Sequence, residues 1–165
     1  MVKRCFRLTR RRQFLPITKG AIERLPDTSF LFRLYVQQSR SAAAAEHMAE
    51  TGEPVLVTSL SRFELCNAVR LSVFRKLLDR RLATEDLKFI ARDIEHGVLA
   101  LTPCDWAAVH EQAQRLSVEY TIAQGHRGMD LLHVASALVL GAPDFLTFDQ
   151  NQAQLAAGAG LVVKP

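Results

Sequence analysis

Short apolar runs alternate with longer segments of helical periodicity along most of the chain, and this alternation strongly constrains the fold. The runs fall at residues 55–58, 98–101, 145–148 and 161–163. Short β-branched and aromatic runs are typical of buried strands. Strands separated by helices are typical of a parallel sheet. The sequence therefore predicts an α/β fold.

Turn and capping residues divide the rest of the chain into helices. Predicted helices cover residues 29–38, 40–51, 59–78, 84–95, 106–123, 130–140 and 151–157. The segment 21–26 is less regular, because it contains two charges and Pro26. A central parallel strand is normally apolar throughout, and proline donates no ladder hydrogen bond. We therefore expect a first strand that is short, frayed or shifted.

The charge of the chain is concentrated at its N-terminus. The 165 residues are enough for one domain, which we place at residues 21–165. Residues 1–24 carry eight Lys or Arg and one Glu, whereas the remainder carries a small negative charge. We predict that residues 1–20 form a poorly ordered basic extension. It is either a passive tail or an arm that attracts RNA.

Composition excludes several other classes. The three cysteines, Cys5, Cys66 and Cys104, show no CxxC spacing, which argues against a disulfide framework and a structural zinc site. Arg11 and Arg12 resemble a twin-arginine signal, but no apolar stretch follows them. No apolar run is long enough to span a membrane. The sequence thus favours a cytoplasmic protein without a membrane partner.

Four acidic residues fall where the predicted fold exposes a ligand site. Asp27, Glu64, Asp130 and Asp149 lie just after predicted strands or in the first turns of helices. In open parallel sheets, ligands bind beyond the carboxyl ends of the strands. Carboxylates gathered at one edge repel each other, and a hard divalent cation such as Mg²⁺ relieves that repulsion. The pattern therefore indicates a metal site.

Each acid also has a simpler interpretation. Asp27, Asp130 and Asp149 each suit a helix N-cap, where aspartate is favoured in any protein. Glu64 has arginines nearby, at positions 62 and 70, for a surface ion pair. The metal-site hypothesis depends on the four acids sharing one edge of the sheet.

Four ordered motifs resemble those of PIN-domain ribonucleases, in particular the VapC-type toxins of bacterial toxin–antitoxin pairs. They are Asp-Thr-Ser-Phe-Leu at 27–31, Val-Thr-Ser-Leu-Ser-Arg-Phe-Glu-Leu at 57–65, Asp-Leu-Leu-His-Val-Ala at 130–135 and Phe-Leu-Thr-Phe-Asp at 145–149. The resemblance covers about residues 25–163. It implies a three-layer PIN-like domain with a parallel sheet of four to five strands flanked by helices.

The same resemblance implies a function and a set of site residues. It implies an Mg²⁺- or Mn²⁺-dependent endoribonuclease that is held inactive by a cognate antitoxin and forms a homodimer. The metal ligands and catalytic acids would be Asp27, Glu64, Asp130 and Asp149, and Thr147 would help to order water or substrate. Weaker matches for substrate-binding groups are Ser29 and Asn67, although Asn67 also suits a solvated position on its helix. Apart from the resemblance, Arg127 lies beside Asp130 and is either a group that steers phosphate or a solvated loop arginine.

Other functions fit the sequence less well. A different Mg²⁺-dependent phosphohydrolase of the haloacid-dehalogenase type needs a second Asp two residues after the first, where Ser29 stands. A non-catalytic domain that binds nucleic acid or a protein partner is the other alternative, and the complete acidic set argues against it.

His133, one turn after Asp130, is interpreted as a packed, hydrogen-bonded histidine. The apolar residues of segment 29–38 predict self-association through this early helix.

Overall fold

A computed structural model describes residues 23–51 and 54–165. The predicted basic extension, residues 1–20, lies outside the described residues. The strands are β1 (Arg24–Pro26), β2 (Val55–Val57), β3 (Leu99–Leu101), β4 (Asp144–Leu146) and β5 (Val162–Lys164). The helices are α1 (Thr28–Tyr35), α2 (Ser41–Thr51), α3 (Ser59–Phe74), α4 (Arg80–Glu95), α5 (Trp106–Leu116), α6 (Ile122–Gln124), α7 (Gly128–Leu140) and α8 (Gln150–Gly158). A π-helical turn, Ser117–Thr121, joins α5 to α6.

The strands are parallel, as predicted, and form two hydrogen-bonded sets. One set has the order β1-β4-β5 and the other pairs β2 with β3. β1 also lies against β2. The five strands therefore follow the spatial order β3-β2-β1-β4-β5, and the α/β fold with a parallel sheet is confirmed.

Pro26 accounts for the division of the sheet. In a strand, alternate backbone groups point to opposite neighbours. Leu25 pairs with Phe145 of β4, and the N–H of Asp27 donates to the carbonyl of Leu146 at 2.9 Å. The backbone nitrogen of Pro26 therefore points toward β2. Because this nitrogen carries no hydrogen, Pro26 cannot donate a hydrogen bond to that strand. The irregular first strand is real but short, and its proline faces the side without a ladder.

Side chains on the two faces of the sheet enter different cores. On one face, Leu25 and Phe145 pack with α5, α7 and α8 residues such as Val109 and Val134. On the other face, Leu146 packs with residues of α1, α2, α3 and α4, including Phe30. This alternation along β4 is the period-two pattern of a strand buried on both sides. It yields the three-layer arrangement of helices, sheet and helices.

Most predicted helices are confirmed with shifted ends. The first helix was predicted at 29–38, but it is shorter and is capped by Asp27, whose side chain accepts from the N–H of Phe30. The fourth begins at Arg80 instead of residue 84, because Asp79 caps it. The long helix predicted at 106–123 is interrupted by the π-helical turn. None of the helices in the described part of the chain combines the length and apolarity needed to cross a bilayer.

The apolar residues of α1 are largely used inside the domain. Phe30 and Leu31 are fully buried, and Val36 just after the helix is also buried. Three more apolar side chains of α1 pack against the same core, namely Phe32, Leu34 and Tyr35. The surface on which the predicted self-association depended is therefore mostly internal. The homodimer stays a prediction.

Candidate active site

Asp27 occupies the carboxyl end of β1 and is completely buried, with 0% exposure. Its Oδ1 accepts hydrogen bonds from Ser29 Oγ and Phe30 N, both at 2.8 Å, and its Oδ2 accepts one from Thr147 Oγ1 at 2.7 Å. Burial raises the pKa of this carboxyl, and the hydrogen bonds together with nearby His133 oppose that rise. Asp27 is thus both the cap of α1 and a buried carboxylate beyond the sheet.

Thr147 connects Asp27 to the next acid along the sheet edge. Its hydroxyl donates to Asp27 and accepts from the backbone N–H of Asp149 at 2.9 Å. Asp149 in turn caps α8, because its Oδ1 accepts from the N–H groups of Asn151 and Gln152. The loop after β4 is therefore locked onto the end of β1, where the order of the strands reverses. Such a switch point is the usual ligand crevice of an open parallel sheet.

Asp130 stands in the first turn of α7, where it is not the cap. Its Oδ2 accepts from the backbone N–H of Arg127 at 3.2 Å. Burial raises the pKa of Asp130, and the charge of Asp149 raises it further. The backbone hydrogen bond from Arg127 and the charge of its exposed side chain lower the pKa of Asp130 in part. Asp149 is therefore close enough to Asp130 for its negative charge to oppose ionisation of the Asp130 carboxyl.

Glu64 belongs to a polar group of its own. His133 Nε2 and Glu64 Oε2 are 2.5 Å apart, and the hydroxyl of Thr28 donates to the same carboxylate oxygen. Burial alone would raise the pKa of Glu64, but the hydrogen bonds from His133 and Thr28 reverse the effect and lower it. The surface ion pair considered for Glu64 is replaced by this internal contact.

His133 links the two groups of acids. It is 1% exposed, as a packed and hydrogen-bonded histidine should be. Its imidazole lies close enough to lower the pKa of Asp27, Glu64 and Asp130 alike. All four predicted acids are thus connected electrostatically, through His133 or through the Asp130–Asp149 pair.

Of the two polar residues predicted as weaker substrate-binding groups, one belongs to the hydrogen-bond network of the acids and the other does not. Ser29 is part of the network, because it donates to Asp27 and accepts from the N–H of Phe148 at 2.9 Å. Asn67 is exposed on α3, and no hydrogen bond between described residues joins it to the acids. Thr28 is a member that the sequence analysis missed. Its signal was its position next to Asp27, which puts it at the start of the same helix.

The acids have the right chemistry for a divalent cation, although they are not gathered into a closed cage. Within residues 23–51 and 54–165, no three His, Cys, Asp or Glu side chains form a group that could hold a metal ion. Mg²⁺, however, keeps several waters and is typically bound through one or two carboxylates. The Asp130–Asp149 pair supplies two hard oxygen donors whose mutual repulsion a cation would relieve. The residues present therefore fit such an ion.

The fold and this edge define an α/β protein with an acidic crevice at the switch point of a parallel sheet. Residues 24–158 match the model of the PIN domain. The chain therefore belongs to the PIN-domain family, and the resemblance noted in its four motifs is confirmed.

Solved structures show the same fold at low sequence identity. The sarcin–ricin-loop-cleaving toxin VapC20 of Mycobacterium tuberculosis aligns with a TM-score of 0.61 and 19% identity, covering 87% of this chain and 100% of that one. VapBC-1 from nontypeable Haemophilus influenzae gives 0.58 and 16%, with coverage of 86% and 96%. PAE2754 from Pyrobaculum aerophilum gives 0.58 and 20%, with coverage of 87% and 90%. No curated protein sequence matches the chain.

Proposed function

We propose that this PIN-domain protein is a divalent-metal-dependent endoribonuclease, the toxin of a toxin–antitoxin pair. The observation that carries the proposal is Asp27, a fully buried carboxylate that two hydroxyls hold at the switch point. Burying a carboxylate is costly, and its role as a helix cap does not require it. The similarity to VapC20 and VapBC-1 supports the toxin class.

The ligands of the ion would come from the four acids. Asp130 and Asp149 would hold Mg²⁺ or Mn²⁺ together with water, with Asp27 and Glu64 as the further acids of the same edge. When bound, the ion would lower the pKa of a bound water and neutralise charge developing on the phosphate. Thr147 and Ser29 keep the Asp27 carboxylate oriented, so that little reorganisation is needed during reaction.

The proposed reaction is hydrolysis of an RNA phosphodiester. Water oxygen forms a bond to phosphorus, the bond to the 3′ oxygen breaks, and that oxygen takes up a proton. The products carry a 5′-phosphate and a 3′-hydroxyl, which gel mobility and end-labelling distinguish from a 2′,3′-cyclic phosphate.

The test is an RNA cleavage assay with matched aspartate variants. Purified protein is incubated with RNA in Mg²⁺, in Mn²⁺ and in EDTA, alongside Asp130→Asn and Asp149→Asn. The control is Asp79→Asn, because Asp79 caps α4 by the same hydrogen bonds but belongs to no acidic cluster. We expect cleavage by the wild type and by Asp79→Asn with metal, and none by the other two.

Other outcomes assign other functions. Metal-dependent hydrolysis of a small phosphate ester without RNA cleavage would indicate a different phosphohydrolase. RNA binding without any hydrolysis would indicate a non-catalytic domain. The antitoxin and homodimer are part of the proposal and have separate tests. Co-expression with the protein encoded by the neighbouring reading frame should relieve growth arrest, and light scattering should give the mass of a dimer.

A further inference from the structure

Two arginines from the α1–α2 region lie over one aromatic ring beside the acidic edge. The guanidinium carbon of Arg33 is 5.0 Å from the ring centroid of Phe148, and that of Arg40 is 5.8 Å away. Phe148 also stacks on Phe30, with 5.6 Å between centroids and 10° between planes. We call Arg33, Arg40 and Phe148 the cationic platform. Arg33 and Arg40 flank the connection between α1 and α2, and the fold brings Phe148 to them from the distant segment after β4.

Arg33 is fixed in place without being neutralised by a direct ion pair. Its Nη1 donates to the carbonyl of Ser29 at 2.6 Å, and its Nε donates to the carbonyl of Ser39 at 3.2 Å. Both partners are neutral. In the described part of the chain, Arg33 and Arg40 form no salt bridge, and no hydrogen bond uses Nη2 of Arg33. A planar guanidinium held in this way has donors left for an anion.

The two positive charges oppose each other. Burial lowers the pKa of Arg33, and the charge of Arg40 adds to that lowering, while Asp27 and Asp149 counteract it. Two cations over one ring are therefore less favourable together than apart. An anion placed between them would remove the repulsion and gain charge-assisted hydrogen bonds.

Arg40 has an uncommon backbone conformation. Its φ is +68°, in the left-handed region that ordinary residues rarely adopt. Such a conformation is strained for a residue with a Cβ. Its carbonyl accepts from the N–H of Ala44 at 3.1 Å, which holds it at the start of α2. Arg40 is exposed, so its side chain is accessible to a ligand.

The platform adjoins the proposed catalytic acids through one chain of hydrogen bonds. The N–H of Phe148 donates to Ser29 Oγ at 2.9 Å, and Ser29 Oγ donates to Asp27 Oδ1 at 2.8 Å. Asp149 is the residue after Phe148. A polyanion bound at the acidic edge would therefore lie close to the two arginines. Without such cations nearby, the acids would repel it.

We propose that the cationic platform binds a phosphodiester of the RNA strand, next to the phosphate that is cleaved. This inference rests on the proposed function, since it names how the same site holds its substrate. Arginine suits this role, because its fork of donors matches phosphate geometry and remains charged. The ring of Phe148 stabilises the positions of both guanidinium groups by cation–π contact. The contact is to the backbone, so it fixes the register of the strand without reading its sequence.

The experiment measures equilibrium binding of a short, labelled single-stranded RNA by fluorescence anisotropy, in EDTA, at several salt concentrations. EDTA keeps the RNA intact and leaves the acids at their most repulsive. Arg40→Gln is the main variant, because Arg40 is exposed and its loss should not unfold the protein. Arg92→Gln is the matched control, since Arg92 lies 5.5 Å over the ring of Phe89 on α4, in an equivalent cation–π contact outside the platform.

For Arg40→Gln we expect affinity to fall several-fold and the slope of log K against log salt to decrease by about 0.7, the value of one phosphate contact on a single strand. Arg40→Lys should keep the slope, and Arg92→Gln should match the wild type. Suppose that Arg40→Gln binds RNA as tightly as the wild type, while the wild type cleaves RNA with Mg²⁺. The proposal that the cationic platform binds RNA is then wrong, and the proposed nuclease activity is retained. If both glutamine variants weaken RNA binding equally, the loss of affinity reflects the lower positive charge of the whole protein, and the proposal for the cationic platform is again wrong. Failure of the wild type to bind or cleave RNA would overturn both proposals.

Discussion

Thr147 donates a hydrogen bond of 2.7 Å to the buried carboxylate of Asp27, although the two residues are 120 positions apart. The bond joins the ends of β4 and β1, the adjacent strands at which the sheet order reverses. The same hydroxyl accepts from the N–H of Asp149. One side chain thus orients a buried acid and fixes the start of the loop that carries another.

Replacing Thr147 by valine should therefore destabilise the protein more than its size change suggests. Valine has the same shape but can neither donate to Asp27 nor accept from Asp149. Leaving a buried charged acceptor short of a donor costs about 1–3 kcal/mol. Urea unfolding at neutral pH measures the loss. Thr147→Ser keeps the hydroxyl and should recover most of the stability, and a valine variant as stable as the wild type would contradict the prediction.

The contact between Glu64 and His133 should appear as a coupling energy. A double-mutant cycle with Glu64→Gln and His133→Asn separates their interaction from the effect of each substitution. We expect a coupling of about 1.5–3 kcal/mol, because hydrogen bonds to charged groups lie in that range. Unfolding free energies of the four proteins supply it. Additive effects would show that the close approach contributes no net stability.

The glycines at the two ends of α7 should respond to alanine in opposite directions. Gly141 ends the helix with a φ of +69°, where a Cβ is strained whatever space surrounds it. Gly128 begins the helix without a positive φ, and nothing lies within 4 Å of an added Cβ. Gly141→Ala should lower stability by about 1–2 kcal/mol. Gly128→Ala should raise it by about 0.4–1 kcal/mol, because it restricts the unfolded chain.

Thermal unfolding of the two glycine variants tests this pair directly. Equal shifts of the same sign would contradict it, since the two sites differ mainly in backbone conformation. RNA cleavage by Gly128→Ala serves as a check that the start of α7 still presents Asp130 correctly.

The local parts of this fold were predictable, because they depend on neighbouring residues. Strand positions followed from apolar runs, and the acids were expected where strands end. The cap at Asp79 shows the limit of such signals. Thr84, followed by the acids Glu85 and Asp86, predicts a helix start at residue 84, but Asp79 caps the helix one turn earlier. Similarly, nothing in segment 117–121 distinguishes a π-helical turn from continued α-helix, because it contains neither glycine nor proline.

The contacts within the site were less predictable, because they join distant parts of the chain. Glu64 and His133 are 69 positions apart, and their pairing depends on how α3 and α7 pack across the sheet. Nothing in the local sequence of either residue specifies the other. The role of Pro26 was likewise a matter of register. The sequence predicts that Pro26 interrupts a ladder of hydrogen bonds between strands. Which neighbouring strand loses the hydrogen bond depends on the order of the strands in the sheet.

A last prediction concerns Tyr35 of α1 and Asp93 of α4, whose contact is separate from the acidic edge. Tyr35 donates from its hydroxyl to Asp93 Oδ2 at 2.8 Å. Burial raises the pKa of Asp93, and the bond from Tyr35 offsets only part of the rise. The folded protein therefore holds this proton more tightly than the unfolded chain. As a result, the contribution of Asp93 to stability falls as pH rises from the ordinary carboxyl pKa to the raised one.

Asp93→Asn removes this titration while its amide oxygen still accepts from Tyr35. Relative to the wild type, the variant should gain stability as pH rises from about 3 to 7, because the asparagine does not ionise. Denaturant unfolding across that pH range gives the difference directly. Tyr35→Phe is the control, since it leaves the carboxylate without its donor and should lose about 1 kcal/mol or more at neutral pH. If the unfolding free energy of Asp93→Asn relative to the wild type instead falls as pH rises, the folded state favours the ionised carboxylate. The pKa of Asp93 is then not raised, and the prediction is wrong.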